Sequence, residues 1–231
     1  MRRTGKFIVI EGTDGSGKGT HAKLLAEWLR RQDQQLETFE FPQYGQPSAY
    51  FVEQYLVEGA YGPAGEVSPY KGSLFYALDR FQASFKIRDI LASGTNVLSD
   101  RYVASNMGHQ GAKLDSPKER AAYFKWNDHL EFDILSIPRP DLNIVLHMPS
   151  VQAQKFVDQK SAREHLHGKA RDLHEDDIEH LRQAERTYVE LCETFPKSFK
   201  MIECQAQDGS IRSIDDIQSQ IRGLAQALLS S

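Results

Sequence analysis

One run of this chain has the residue types and spacing to hold phosphate: Glu11-Gly12-Thr13-Asp14-Gly15-Ser16-Gly17-Lys18-Gly19-Thr20. Gly12, Gly15 and Gly17 let the backbone curl with its N–H groups turned inward. The helix expected to follow adds positive potential at its N-terminus, and Lys18 can reach a terminal phosphate. Thr13, Asp14, Ser16, Gly19 and Thr20 complete the cradle. The commonest form of such a loop has Ser or Thr directly after the lysine as a magnesium ligand; here that residue is Gly19, and the hydroxyl arrives one place later at Thr20. A second cluster, Val97-Leu98-Ser99-Asp100-Arg101-Tyr102, closes another apolar run. Asp100 can organise a magnesium ion, directly or through water, and Arg101 can grip a phosphate in a bidentate way.

For these clusters to act together they must reach one edge of a sheet. Apolar, β-branched runs fall at residues 7–11, 36–41, 96–99, 142–147 and 198–203, separated by longer segments with helical spacing. Strands alternating with helices predict a parallel sheet covered on both faces, which binds ligands beyond the carboxyl ends of its strands. Leu24, Leu25, Trp28 and Leu29 make a stripe on a first helix over 18–31. Leu74, Leu78, Phe81, Phe85 and Ile87 predict a long helix before the strand at 96, stopped near Gly94. Ser213-Ile214-Asp215-Asp216 reads as the capped start of a last helix. The expectation is one α/β domain over residues 1–231.

Composition narrows the partners. Of 231 residues, 40% are hydrophobic and 26% charged, which suits a folded chain rather than a disordered one. Lys plus Arg is 28 against 32 Asp plus Glu, a net charge of −4, which argues against a protein that grips nucleic acid through its phosphates. A local basic site for a small polyanion is compatible with that balance. No apolar run approaches the roughly 20 residues of a membrane span, and the stretch after the basic start is too short for a signal-peptide core. Cys192 and Cys204 give neither metal spacing nor a disulfide framework. These features predict a cytoplasmic protein with no membrane and no nucleic-acid partner.

Two stretches stand apart. Residues 59–69 are rich in Gly and Pro and read as a loop. Residues 159–175 are polar, carry Lys160, Arg163, Lys169 and Arg171, and lack an apolar stripe. Such a segment is a surface connection or a lid, and its charge favours a lid. His165, His167 and His174 within it read as solvated surface rather than as a metal cluster.

Taken together, these residues resemble the thymidylate kinase family of nucleoside monophosphate kinases. The loop carries the family's mark, an Asp two places after the first glycine. Phe41-Pro42, Leu78-Asp79-Arg80, Asp100-Arg101-Tyr102-Val103-Ala104-Ser105-Asn106, Pro138-Arg139-Pro140-Asp141 and Gly168-Lys169-Ala170-Arg171-Asp172 with Glu175 follow in the family's order. The resemblance implies a P-loop NTPase-type parallel five-stranded sheet with helices on both faces and a short basic lid. It also implies transfer of the γ-phosphoryl of ATP to dTMP, with Mg²⁺, by a homodimer for which Phe81 and Phe85 are interface candidates.

By the same resemblance, Lys18 and the loop amides take the donor phosphates, Asp14 serves both nucleotides and the reaction, and Arg101 holds the acceptor phosphate. Arg163 and Arg171, with Lys169, close over the transferring group from the lid, and Glu175 lies near the metal with Asp100 and Thr20. The acceptor needs no general base, because a phosphate monoester is mostly a dianion at neutral pH. For the base, Tyr76 (or its neighbour Phe75) stacks on thymine, Arg80 on the same helical face donates to O4, and Asn106 meets the N3 edge. Phe41 walls the pocket, Pro42 shapes its turn, and Tyr44 supplies a hydroxyl. Two positions depart from the family. Gln43 stands where an Arg is common. His109, before Gln110, stands where bacterial relatives have a Tyr that polices the sugar's 2′ position, so weaker rejection of ribonucleotides is expected.

Three other readings compete. Another pyrimidine nucleoside monophosphate kinase would share this whole frame. A deoxynucleoside kinase would share the loop but wants a general base beside a neutral hydroxyl. A guanine-binding switch would carry an Asn-Lys-x-Asp segment, which the sequence lacks.

Overall fold

Five parallel strands lie in the order β2-β3-β1-β4-β5, with β1 (Phe7–Gly12) at the centre, flanked by β3 (Asn96–Asp100) and β4 (Leu142–His147). The edges are β2 (Leu36–Glu40) and β5 (Phe199–Glu203). The computed structural model describes residues 5–165 and 178–230, apart from the side chains of 160–165. Every residue of β1 is buried, as its continuous apolar run requires of a strand covered on both faces. Alternate residues serve opposite cores: Phe7 and Val9 pack with Phe41, Tyr102, Tyr123 and Tyr188, while Ile8 and Ile10 pack with Leu25, Leu29, Ile144 and Ile221. Ile10 pairs with Asp100 and Gly12 with Leu146, so the glycine-rich loop and the Asp100-Arg101 segment leave neighbouring strands at one level.

The crossovers are helical: α1 (Lys18–Arg31), α2 (Tyr50–Leu56), α3 (Pro69–Ala92), α4 (Val103–Gly111), α5 (Pro117–Asp128), α6 (Ser150–His165), α7 (Ile178–Thr194) and α8 (Ile214–Leu229). A 3₁₀ turn covers Pro47–Ala49 and a π-helical turn His129–Ile134. The last helix begins as expected, with the Ser213 side chain accepting from the Asp216 N–H at 3.1 Å. Among the described residues, no helix is long and apolar enough to cross a membrane.

Two features were not legible in the sequence. The long helix expected from the apolar series is α3, but most of that series faces outward: Ile87 is buried, whereas Leu74, Leu78 and Phe85 are 43%, 44% and 52% exposed. The buried face of α3 is made instead of Gly72, Ser73, Ala77, Asp79, Arg80, Ala83 and Ser84. Small residues bring the helix close to its neighbours, and Asp79 and Arg80 are buried because they have partners there. Second, the polar segment starting at 159 opens as helix, because α6 continues through His165. Arg163 lies on α6, with its side chain outside the described residues; Lys169, Arg171 and Glu175 lie outside them altogether.

Candidate active site

The loop after β1 closes tightly. Gly15 has φ +79°, and a Cβ there would stand 2.1 Å from the Ala153 carbonyl oxygen of α6, so only glycine fits. Lys18 is the first residue of α1, and its Nζ turns back over the loop, donating to the Thr13 carbonyl at 3.3 Å and to Asp14 Oδ1 at 3.1 Å. Arg101 Nη2 donates to the same Asp14 oxygen. One carboxylate therefore holds both phosphate-seeking cations. Burial works to raise the Asp14 pKa, but Arg101 and Lys18 outweigh it and hold the carboxyl well below its ordinary value. Burial, with Arg101 beside it, lowers the Lys18 pKa. Burial also opposes the Arg101 charge, yet Asp14 in particular carries its pKa above the ordinary arginine value.

Arg101 sits at φ +65°, a left-handed conformation uncommon outside glycine and concentrated at functional sites. Two groups from β1 fix it there. The Ile10 carbonyl accepts the Arg101 N–H at 2.9 Å. Glu11, with no exposed surface, accepts from the Tyr102 N–H and Ser105 Oγ, both at 2.7 Å, and from the Tyr188 hydroxyl at 3.3 Å. Burial pushes the Glu11 carboxyl above its ordinary pKa despite Ser105 and Arg101.

His109 Nε2 lies 3.0 Å from Arg101 Nη1. A guanidinium only donates, so Nε2 accepts and Nδ1 bears the proton, directed at His180 Nε2, 3.4 Å away. Burial and Arg101 hold the His109 pKa well below its usual value, so the ring is neutral near pH 7.

These groups form one end of a cavity of about 280 Å³, lined also by Gly19, Asp100 and Ser105. Its other end is closed by Phe41, Pro42, Tyr44, Tyr76, Arg80, Asn106 and Gln110. Of the two adjacent aromatics, Tyr76 lines the cavity, while Phe75 turns to Phe51, Tyr55 and Tyr61. The Phe41–Pro42 bond is cis, and Asp79 ties the following turn through the Gln43 N–H at 2.8 Å and Ser48 Oγ at 2.6 Å. Gln43 itself lines a different groove.

The second end rests on a residue the sequence did not announce. Arg80 is 2% exposed, and its Nε and Nη2 both donate at 2.6 Å to Glu131 of the π-helical turn; Nη1 reaches the Tyr102 carbonyl at 3.3 Å. Asn106 Nδ2 donates to the Ser73 carbonyl and to Glu131 Oε1, each at 3.1 Å. Asn106 Oδ1 and Gln110 Oε1 are buried without a partner. No periodicity marks Glu131, and a buried acid becomes recognisable only once its partners are in place. Glu11, Ser105 and Leu56, which also lines the cavity, were likewise not singled out as site residues.

The donor set suits a magnesium ion held largely through phosphates and water. Asp100 Oδ1 is buried without a partner, and a Cβ on Gly19 would stand 3.0 Å from Asp100 Oδ2. The Asp100 carboxylate thus takes the space that a side chain after Lys18 would fill. Thr20 is exposed and does not line the cavity. Among the described residues, no group of three His, Cys, Asp or Glu side chains forms a cation site of its own.

A glycine-rich loop between the central strand and the first helix, facing an Asp-Arg pair from the next strand, defines the P-loop NTPase type of kinase fold. Known proteins narrow the class. The sequence model described as thymidylate kinase matches residues 10–216, and the chain belongs to the thymidylate kinase family. It is 32% identical over 186 residues to the thymidylate kinase of Mycobacterium tuberculosis, covering 80% of this chain and 85% of that protein. It is 28% identical over 225 residues to a probable thymidylate kinase of Thermococcus gammatolerans, covering 96% of each. A solved structure of the Candida albicans thymidylate kinase shares the fold with a TM-score of 0.68 at 22% identity, over 97% of this chain and 92% of that one.

Proposed function

We propose that this chain moves the γ-phosphoryl of ATP to dTMP, giving dTDP and ADP. The observation that carries the reading is one cavity with two unlike ends: Asp14, Lys18 and Arg101 at the first, Arg80 and the unpartnered Asn106 Oδ1 at the second. Thymine offers a complementary edge, with a donor at N3–H for Asn106 and an acceptor at O4 for Arg80. A 5′-phosphate then falls toward Arg101. The acceptor phosphate oxygen forms a bond to the γ-phosphorus while the bond to the ADP oxygen breaks. A dianionic acceptor gives up no proton in that step, so positioning and charge neutralisation carry the catalysis.

Lys18 and the amides of the 12–20 loop hold the donor phosphates in this reading, and Asp14 stands between donor and acceptor. Asp100 would hold the magnesium that accompanies ATP, with Thr20 and Glu175 acting at most through water, and that ion would supply further neutralisation of the phosphate charge. Arg163 and Arg171, with Lys169, act from a lid over 159–175; the absence of any cation at positions 13–16 of the loop supports placing them there. The exposed apolar row Leu74, Leu78 and Phe85 on α3, beside Phe51, supports a homodimer through that face. Two buried free cysteines suit a reducing cytoplasm.

A coupled assay with ATP and Mg²⁺ against each nucleoside monophosphate and each nucleoside tests the reading. The highest kcat/KM is expected for dTMP. Turnover of nucleosides but not monophosphates would overturn it.

A further inference from the structure

Glu131 is fully buried, lies in the π-helical turn behind Arg80 and Asn106, and does not itself line the cavity. Single π turns widen a helix locally and concentrate at functional sites. A buried Arg–Glu pair is often only a staple, but this carboxylate does more than pair Arg80. Its Oε1 takes Arg80 Nη2 at 2.6 Å, Asn106 Nδ2 at 3.1 Å and Asn127 Nδ2 at 3.4 Å, and its Oε2 takes Arg80 Nε at 2.6 Å. The Ser73 carbonyl, the other close partner of Asn106 Nδ2, also only accepts. The amide of Asn106 is thereby oriented: NH₂ inward, Oδ1 left over and buried in the lining of the cavity.

From this geometry we infer that Glu131 sets the base selectivity of the acceptor site as a positioning residue. One carboxylate fixes two readers with a single pattern, an acceptor from Asn106 beside donors from Arg80. Thymine presents N3–H and a carbonyl O4 to that pattern. Cytosine presents an unprotonated N3 and an amino group, the reverse at both positions. Without the Glu131 acceptor, the Asn106 amide is held by fewer groups and can turn its NH₂ to the cavity, where N3 of cytosine would accept from it. The inference rests on the proposed acceptor class, and Arg80 and Asn106 keep the roles given above; what is new is that their orientation is set from the π turn.

Two variants test it. Glu131→Gln keeps the size but gives up the charge and one acceptor oxygen. Glu131→Asp keeps the charge, so Arg80 stays paired and the fold is protected, but draws the acceptor back by one methylene. The measured quantity is kcat/KM for dTMP divided by kcat/KM for dCMP, with Ki of dCMP used if its turnover is too slow. The ratio is expected to fall about tenfold or more in Glu131→Gln and by less in Glu131→Asp, with KM for ATP unchanged. In an Asn106→Ala background, Glu131→Gln should move the ratio by less than it does in the wild type, because only the part of its effect that passes through Arg80 remains. A staple alone would lower both acceptors by one factor, so a folded variant with the wild-type ratio overturns the inference. Wild-type enzyme that does not turn over dTMP at all refutes the proposed function instead, and the two failures are thereby distinguished.

Discussion

At each end of the cavity one carboxylate manages the charge, but on different terms. Asp14 is 24% exposed and holds two cations that face the cavity, Lys18 and Arg101. Glu131 has no exposed surface and holds Arg80 together with the Asn106 amide. In the proposed reaction, phosphates entering the first end would compete with Asp14 for both cations, and Asp14 would keep them neutralised until then. Glu131 lies behind the lining, and its bidentate pair with Arg80 has the geometry of a permanent fixture. On the proposed reading, the first is a phosphate end that stores charge to be handed over, and the second a base end that stores orientation to be kept.

The phosphate end is expected to fail hardest when its charge is removed. Lys18→Ala should leave the fold intact and lower kcat at least about 100-fold, since a preorganised cation on the transferring group contributes roughly 3 kcal/mol or more. Steady-state kinetics on the purified, folded variant checks this, and near-normal kcat would end the assignment of Lys18 to the transferred phosphoryl. At the base end the loss should fall on orientation. Arg80→Lys keeps the charge beside Glu131 but loses the planar fork, so KM for dTMP should rise about tenfold while KM for ATP stays put. Equal shifts in both constants would erase the distinction between the ends.

His109 sits at the seam and should give a smaller effect. It carries no charge near neutral pH and accepts from Arg101, so it helps aim the cation while leaving the sugar side less crowded than a tyrosine would. His109→Tyr should raise discrimination between deoxyribose and ribose acceptors about threefold to tenfold, read as a kcat/KM ratio. An unchanged ratio would assign sugar selection elsewhere in the cavity.

The two ends also differ in how far they can be read from sequence. The phosphate end is almost contiguous, with Gly12 to Thr20 on one loop and Asp100-Arg101 on one strand end, so local chemistry and the alternation of strands and helices sufficed. The base end draws on α3, α4 and the π turn. Tyr76, Arg80 and Asn106 were reached through family resemblance, whereas Glu131 was missed because a buried acid looks like any surface acid until its partners are placed. The series Leu74, Leu78, Phe81, Phe85 and Ile87 marked the helix but not its surroundings, because helical spacing reports a shared face and says nothing of what covers it. Small and polar residues took the inner face of α3 because close approach and the Arg80–Glu131 pair required them.

The smallest effect expected is a pH dependence, and it bears on whether Asp14 is a placeholder. Its pKa is held well below the ordinary carboxylate value in the folded protein, so the folded state binds fewer protons there than the unfolded state does. Its contribution to stability is then fully present above about pH 4 and is lost as pH falls through the folded value. Asp14→Asn leaves Lys18 and Arg101 without their shared anion, so its Tm should lie below that of wild type by about 2–4 °C at pH 6. That gap should narrow as pH drops below 4. Glu11 works in the opposite sense and in another window: burial raises its pKa, so the cost of ionising it grows as pH rises from about 4.5 through the folded value, which leaves the Asp14 window distinct. Saturating ATP supplies the decisive comparison. If phosphates take over Lys18 and Arg101, the wild-type carboxylate loses most of its benefit, and the gap between wild type and Asp14→Asn at pH 6 should shrink. A gap that stays constant or widens with ATP would mean that Asp14 keeps its hold during binding, and the two ends of the cavity would then be managed alike.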